Sequence, residues 1–146
     1  MNKPTEEKLR EMLSGSGLRS TAHRGGILTV LLSAERPLTQ EQIAEKLGVN
    51  APNKTTIYRT LVVLLKHNLV HRAYVQNRTW HFEAAYRCRS DQCHPHFTCV
   101  RCQRIHCLHE AFIPAVENVP EGFTVQSRQL RLQGICADCQ KKTVTA

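Results

Sequence analysis

The chain has 146 residues, a hydrophobic content of 41% and 20 Lys+Arg against 12 Asp+Glu, for a formal net charge of +8. That length allows one ordinary domain or two small ones, and the composition is that of a globular protein rather than a disordered or fibrous one. No apolar run approaches the roughly eighteen residues of a membrane span, and the charged opening Met1–Leu13 argues against a signal peptide, so the expected compartment is the cytoplasm.

All seven cysteines lie in residues 88–146. In a reducing compartment such clustering reads more readily as metal ligation than as disulfides. Two small halves would each bury little apolar surface, so a metal brace in the second is physically reasonable. Charge divides the same way. Residues 1–87 carry 13 basic against 7 acidic side chains and residues 88–146 carry 7 against 5. A basic N-terminal half is the electrostatic footprint of nucleic-acid binding, although a solvated basic surface alone has the same signature. We therefore expect two domains, residues 1–84 and 85–146.

In chain order, Thr5 can cap a first helix ending near Leu13, and Ser14-Gly15-Ser16-Gly17 breaks it. A second helix is predicted after Thr21, with Ile27, Val30 and Leu31 at helical spacing and Arg36-Pro37 as its stop. Thr39-Gln40-Glu41-Gln42 has the form of a capping box for a short third helix ending at Gly48. Asn53 can cap a fourth helix through about His67, burying Ile57, Leu61, Leu64 and Leu65. Its first turn presents Lys54, Thr55, Thr56, Tyr58 and Arg59. Recognition helices meet base edges at this end, and the helix dipole there attracts phosphate. Asn68 can take the left-handed conformation, and Leu69–Val75 with Thr79–Glu83 reads as a hairpin around Gln76-Asn77-Arg78. Helix–turn–helix followed directly by a hairpin is a winged helix, and the basic helix start favours DNA binding over a merely compact fold.

In the second half, Cys99-Val100-Arg101-Cys102 and Cys136-Ala137-Asp138-Cys139 are two CxxC pairs separated by 33 residues. Four thiolates so arranged suit tetrahedral zinc. A pair of redox disulfides or an iron–sulfur cluster is the competing interpretation. Zinc is preferred because the pairs flank a sheet-like segment, with Phe123–Leu132 as a candidate strand, and no redox βαβ pattern is present. A second donor group comprises His71, His81, Glu83, Cys88, Cys93, His94, His96, His106, Cys107 and His109. His94-Pro95-His96 directs two imidazoles to one side of an extended segment, a frequent arrangement around one ion. His81 and His109 could be ordinary surface residues. No compelling nucleophile–base pair stands out, so no enzyme is expected.

Together these residues resemble the ferric uptake regulator family of metal-sensing repressors over nearly the whole chain. Gly17-Leu18-Arg19-Ser20-Thr21 with Arg24 is similar to the family's opening segment, and Thr56-Ile57-Tyr58-Arg59 to its recognition-helix signature. The run from His94 to Cys102 resembles its histidine-rich approach to the first CxxC, and Leu130–Cys136 its last strand. The resemblance implies an α+β fold: an N-terminal winged helix-turn-helix followed by a small α/β dimerisation domain with structural zinc. It also implies a homodimer, palindromic DNA operators and metal as co-repressor. At the positions it matches, Arg19 would reach the minor groove, Tyr58 would meet bases and Arg59 the backbone. Cys99, Cys102, Cys136 and Cys139 would form the structural cage.

The sensing site would draw on His94 and His96, with His71, Glu83, Cys88, Cys93 and Cys107 as further candidates. His71 resembles a ligand position of the zinc uptake regulator branch. Cys107 stands where the family often has a carboxylate, and thiolate favours zinc over ferrous iron. Glu83, by contrast, suits an iron sensor. Arg128 and Pro95 replace a histidine and an aspartate of an additional site in some members, so that site is expected to be missing. Pro114 and Pro120 leave little room for the helix many members carry between their last strands. The expected function is a zinc-responsive repressor of metal uptake. An iron- or peroxide-responsive regulator is the alternative within the family, and a zinc-ribbon adaptor or thiol redox protein the alternative outside it.

Overall fold

The computed structural model describes residues 4–85, 94–126 and 128–144, the side chains of 143 and 144 excepted. The chain divides into two compact units, Met1–Arg87 and Cys88–Ala146.

The first unit opens with four helices, each begun by the residue its chemistry selects. Helix α1 (Glu6–Gly15) is capped by Thr5, α2 (Ala22–Leu32) by Thr21, α3 (Gln40–Leu47) by Thr39 and α4 (Lys54–Lys66) by Asn53. In every case the side-chain oxygen accepts an otherwise orphaned N–H of the first turn. At α3 the bond is reciprocal: Gln42 N–H donates to Thr39 Oγ1 at 3.2 Å and Thr39 N–H to Gln42 Oε1 at 2.9 Å. Gly48, which ends α3, lies at φ 62° and ψ −134°, a region only glycine enters without strain.

Helix α2 stops at Leu32, four residues before the predicted Arg36. The chain must already be extended when it reaches Leu38, which exchanges two 2.8 Å backbone bonds with Phe82, so the helix has to yield early enough to turn. Asn68 takes φ 56° and leads from α4 into strand β1 (Val70–Gln76), which pairs antiparallel with β2 (Thr79–Ala84). Asn77 (φ 50°) and Arg78 (φ 62°) form the two-residue turn, and two successive positive φ values give it a twist that matches the right-handed twist of the strands. Leu13, Ile27, Leu28, Ile43, Ile57, Leu61 and Leu64 make the core, and Val70, Phe82 and Ala84 seat the hairpin on it. The hairpin is therefore a wing packed on the helices that carry α3–turn–α4.

The second unit centres on β3 (His96–Cys99), flanked by antiparallel β4 (Ile105–Cys107) and parallel β5 (Arg131–Gly134), and closes with α5 (Ala137–Val144). The predicted strand Phe123–Leu132 is corrected to its last two residues plus Gln133 and Gly134. Strand β3 offers only four pairing residues, from His96↔Arg131 to Cys99↔Gly134, and upstream of them Leu130 adds only its carbonyl, which accepts His96 N–H at 3.1 Å. Phe123 and Val125 are instead exposed. Between β4 and β5 the described residues contain no helix. Helix α5 was not foreseen. It starts within the second CxxC, with Asp138 in its first turn and Lys141 and Lys142 in its last, charges that complement the helix dipole at both ends.

Replacing Thr39 with Ala removes one half of the α3 capping box and should cost the first unit about 1 kcal/mol. Urea titration of wild type and Thr39→Ala, followed by helical circular dichroism, checks this; equal midpoints would show the cap to be dispensable.

Candidate metal centres and nucleic-acid face

The turn between β3 and β4 carries the first CxxC. Cys99 N–H donates to Arg104 O and Gln103 N–H to Cys99 O, both at 2.9 Å, while Gln103 adopts φ 59° to close the turn. Val100 N–H donates to Gly134 O at 2.8 Å and draws the end of β5 alongside. Gly134 suits this close approach, since a Cβ would stand 3.2 Å from the Phe97 ring and the ring would have to give way slightly. Two residues later Cys136 opens α5, and its Cys139 falls on the same helical face.

The four sulfurs, one from each cysteine, lie within 4.8 Å of one another. Cys102 Sγ and Cys136 Sγ are 3.8 Å apart, and no disulfide joins any two of the four. Ligands about 2.3 Å from zinc at tetrahedral corners are separated by about 3.8 Å, so the cage has the dimensions of a zinc–thiolate site. Electrostatics agree. The backbone N–H of Cys136, then that of Cys102, hold the Cys99 thiol down at about 6, whereas burial, reinforced by the neighbouring thiols, pushes Cys139 up to about 12. Without a cation the buried sulfurs cannot all be thiolate; with one, each becomes a ligand. Arg104, whose own pKa is raised chiefly by Cys102, and Arg101, which donates to Cys139 O at 3.1 Å, supply positive charge and a backbone tie at the rim. Neither arginine was singled out from sequence; the signal was a basic residue inside and just after the first CxxC.

The second donor group falls into two parts, one in each unit. In the first unit, His71 and Glu83 face each other across the hairpin, with His71 Nε2 3.3 Å from Glu83 Oε1. In the second, His94, His96 and Cys107 place ligand atoms within 4.8 Å of one another. The register explains this: His96 is the cross-strand partner of Cys107, so imidazole and thiol share one face of the β3–β4 pair. Both histidines are buried, with Nε2 sealed from solvent, an unusual setting for imidazole. Two nitrogens and a sulfur in a protected cluster suit a borderline-soft divalent ion such as zinc. His109 is exposed, yet its ring lies 4.1 Å from that of His94. His81 is half-buried against Tyr74, its pKa lowered mainly by burial. His106 points to the opposite face, towards Phe97. The candidates Cys88 and Cys93 lie outside the described residues.

The predicted nucleic-acid face is open to solvent. Lys54, Thr55, Tyr58 and Arg59 are exposed at the start of α4, and Thr56 is half-buried with its N–H on Asn53. Lys54 reaches Glu41 at 3.1 Å, an exposed pair weak enough to be exchanged for phosphate. Gln40 donates to Lys54 O at 2.6 Å and pins α3 to α4. Arg19 is exposed, and its carbonyl accepts the Arg24 guanidinium at 2.7 Å.

A winged helix followed by a thiolate-caged α/β unit defines a regulator built to couple metal to nucleic acid. The sequence model of the Ferric uptake regulator family matches residues 15–133, and the chain belongs to that family, whose members are metal-sensing transcription regulators rather than enzymes. A ferric uptake regulation protein of Neisseria meningitidis is 30% identical over 140 residues, covering 89% of this chain and 92% of its own. A peroxide operon regulator of Bacillus subtilis is 29% identical over 137 residues, covering 90% and 91%. Among solved structures, a zinc uptake regulator complexed with zinc and DNA superposes with a TM-score of 0.64 at 16% identity, covering 92% of each chain. The Pseudomonas aeruginosa ferric uptake regulator with manganese gives 0.61 at 23%, covering 88% of this chain and 98% of that one. These two likenesses confirm the fold.

Cys136→Ser should reduce bound zinc by one ion per chain and abolish cooperative melting of the second unit, while the helical signal of the first persists. Metal analysis and a thermal scan read both effects. Full zinc content with an unchanged melting curve would contradict the cage.

Proposed function

We propose that this protein is a zinc-responsive transcriptional repressor that limits metal uptake when zinc is sufficient. The observation that carries this reading is the His94–His96–Cys107 cluster, with both imidazoles buried and a thiol in the third donor position. Thiolate with imidazole selects zinc, whereas a carboxylate in the same place would suit iron or manganese better. Cys99, Cys102, Cys136 and Cys139 hold a permanent structural zinc. The sensing set is completed from His71, Glu83, Cys88 or Cys93, the choice that family resemblance suggests. Metal at the sensing site would reduce the conformational freedom lost on binding DNA. Arg19, Lys54, Thr55, Thr56, Tyr58 and Arg59 form the DNA-reading set. Two copies of the chain, as a homodimer, would place two α4 helices on successive major grooves of a palindromic operator. The protein acts in the cytoplasm.

An iron- or peroxide-responsive regulator is the second reading, favoured by the Glu83 carboxylate and by the likeness to the Bacillus subtilis peroxide operon regulator.

DNA retardation separates the two. Protein retaining structural zinc but stripped at the second site should bind a metal-uptake promoter only after zinc is added, and anaerobic ferrous iron should be ineffective. His96→Ala should lose the zinc response and keep its fold. Restoration by ferrous iron alone would transfer the assignment to the iron reading, and undiminished zinc-dependent binding by His96→Ala would remove the cluster from the mechanism.

A further inference from the structure

The His94–His96–Cys107 cluster has to be filled from solution, and both of its imidazoles are buried with Nε2 sealed from solvent. A hydrated ion in bulk water therefore cannot meet those nitrogens directly, and the site needs an entry path. His109 is placed differently. Its side chain is exposed, yet its ring lies 4.1 Å from that of His94, which in turn lies 4.7 Å from that of His96. Three imidazoles thus stand in file from the surface inwards, with His94 8% and His96 4% exposed. The backbone builds this file. Leu108 N–H donates to Pro95 O, the carbonyl between the two buried histidines, at 2.9 Å, and Ala111 N–H donates to Leu108 O at 3.0 Å. The second bond closes a β-turn with His109 and Glu110 at its central positions, and the first seats that turn beside His94. His109 is not among the donors that gather within 4.8 Å of one another, so it stands next to the cluster rather than in it.

We propose that His109 is the loading ligand of this site: it takes a divalent ion from water, holds it jointly with His94, and passes it on to His96 and Cys107. An exposed neutral imidazole can displace the first water of a hydrated ion without any movement of the buried pair. His94 touches both His109 and His96, so the ion changes partners through a ligand it keeps and is not released between steps. His109 departs as His96 binds, and Cys107 gives its proton to water as its sulfur joins. The Glu110 carboxylate, exposed on the same turn, adds negative charge that draws cations to the entrance. A contact made only in passing lowers the barrier crossed in both directions, so it speeds loading and release alike and leaves the affinity unchanged. This inference rests on the metal-sensing reading above and adds to it the route by which the site is filled.

Stopped-flow mixing of cobalt(II) with full-length protein, zinc kept in the cage and the second site emptied, tests this. Cobalt(II) stands in for zinc, and its thiolate-to-metal charge-transfer band appears when the ion reaches the Cys107 sulfur. Release is followed by loss of the same band in excess chelator, and affinity by equilibrium titration. His109→Ala should slow loading and release by the same factor, about tenfold, with the titration curve unchanged. His109→Phe, which keeps a ring against His94 but offers no donor, should be as slow as His109→Ala. Wild-type kinetics in His109→Ala would overturn the loading role and leave the sensing site intact. Wild-type kinetics in His109→Phe alone would assign His109 to packing and also overturn it. Weaker equilibrium binding by His109→Ala with an unchanged loading rate would make His109 a resident ligand, contrary to the proposal. Absence of the band in wild-type protein would defeat the loading role together with the sensing site it serves.

Discussion

The cage of four sulfurs is the constraint on which the second unit depends. Its three strands are three or four residues long, far too short to sustain a sheet without other support. Cys99 ends β3, Cys102 lies in the turn to β4, Cys136 follows β5 and Cys139 rides on α5, so one ion held by these residues joins every element of the unit except the long connection. Strand β3 also links the two chemistries. Cys99 at one end belongs to the cage, and His96 at the other faces Cys107. Fixing the register of β3 at Cys99 thereby fixes His96, three residues away, against its cross-strand thiol. In the proposed function, a metal in the cage would be the platform on which the sensing donors are displayed.

The first unit is stabilised by different means. A conventional apolar core needs no metal, and four side-chain caps determine where its helices start. Such caps are local, which is why Thr5, Thr21, Thr39 and Asn53 could all be read from sequence. The stop of α2 could not, because it depends on a bond from Leu38 to Phe82 more than forty residues away. The same distinction holds in the second unit. Both CxxC pairs were legible, since two sulfurs at that spacing serve one ion whatever surrounds them. The extent of β5 was not, because its length is set by the four residues β3 offers rather than by the alternation of Phe123–Leu132.

The candidate sites show a similar gradient. The grouping of His94 with His96 follows from their adjacency along an extended segment. Bringing Cys107 beside His96 required the register of β3 on β4, which sequence does not contain. The bulge at Ala73 likewise re-aims Arg72 and Val75 to one face and brings Arg72 over Trp80, an arrangement that strict strand alternation would not predict. Basic residues at the start of α4 were legible because helix ends are local.

The central claim is that the cage forms first and carries the second donor cluster. Zinc K-edge X-ray absorption during stepwise loading of fully demetallated protein tests it most directly. The account predicts that the first equivalent shows sulfur-only coordination at about 2.3 Å, and that the second adds imidazole nitrogen at about 2.0–2.1 Å. Mixed nitrogen and sulfur coordination from the first addition, or no nitrogen shell after the second, would contradict it.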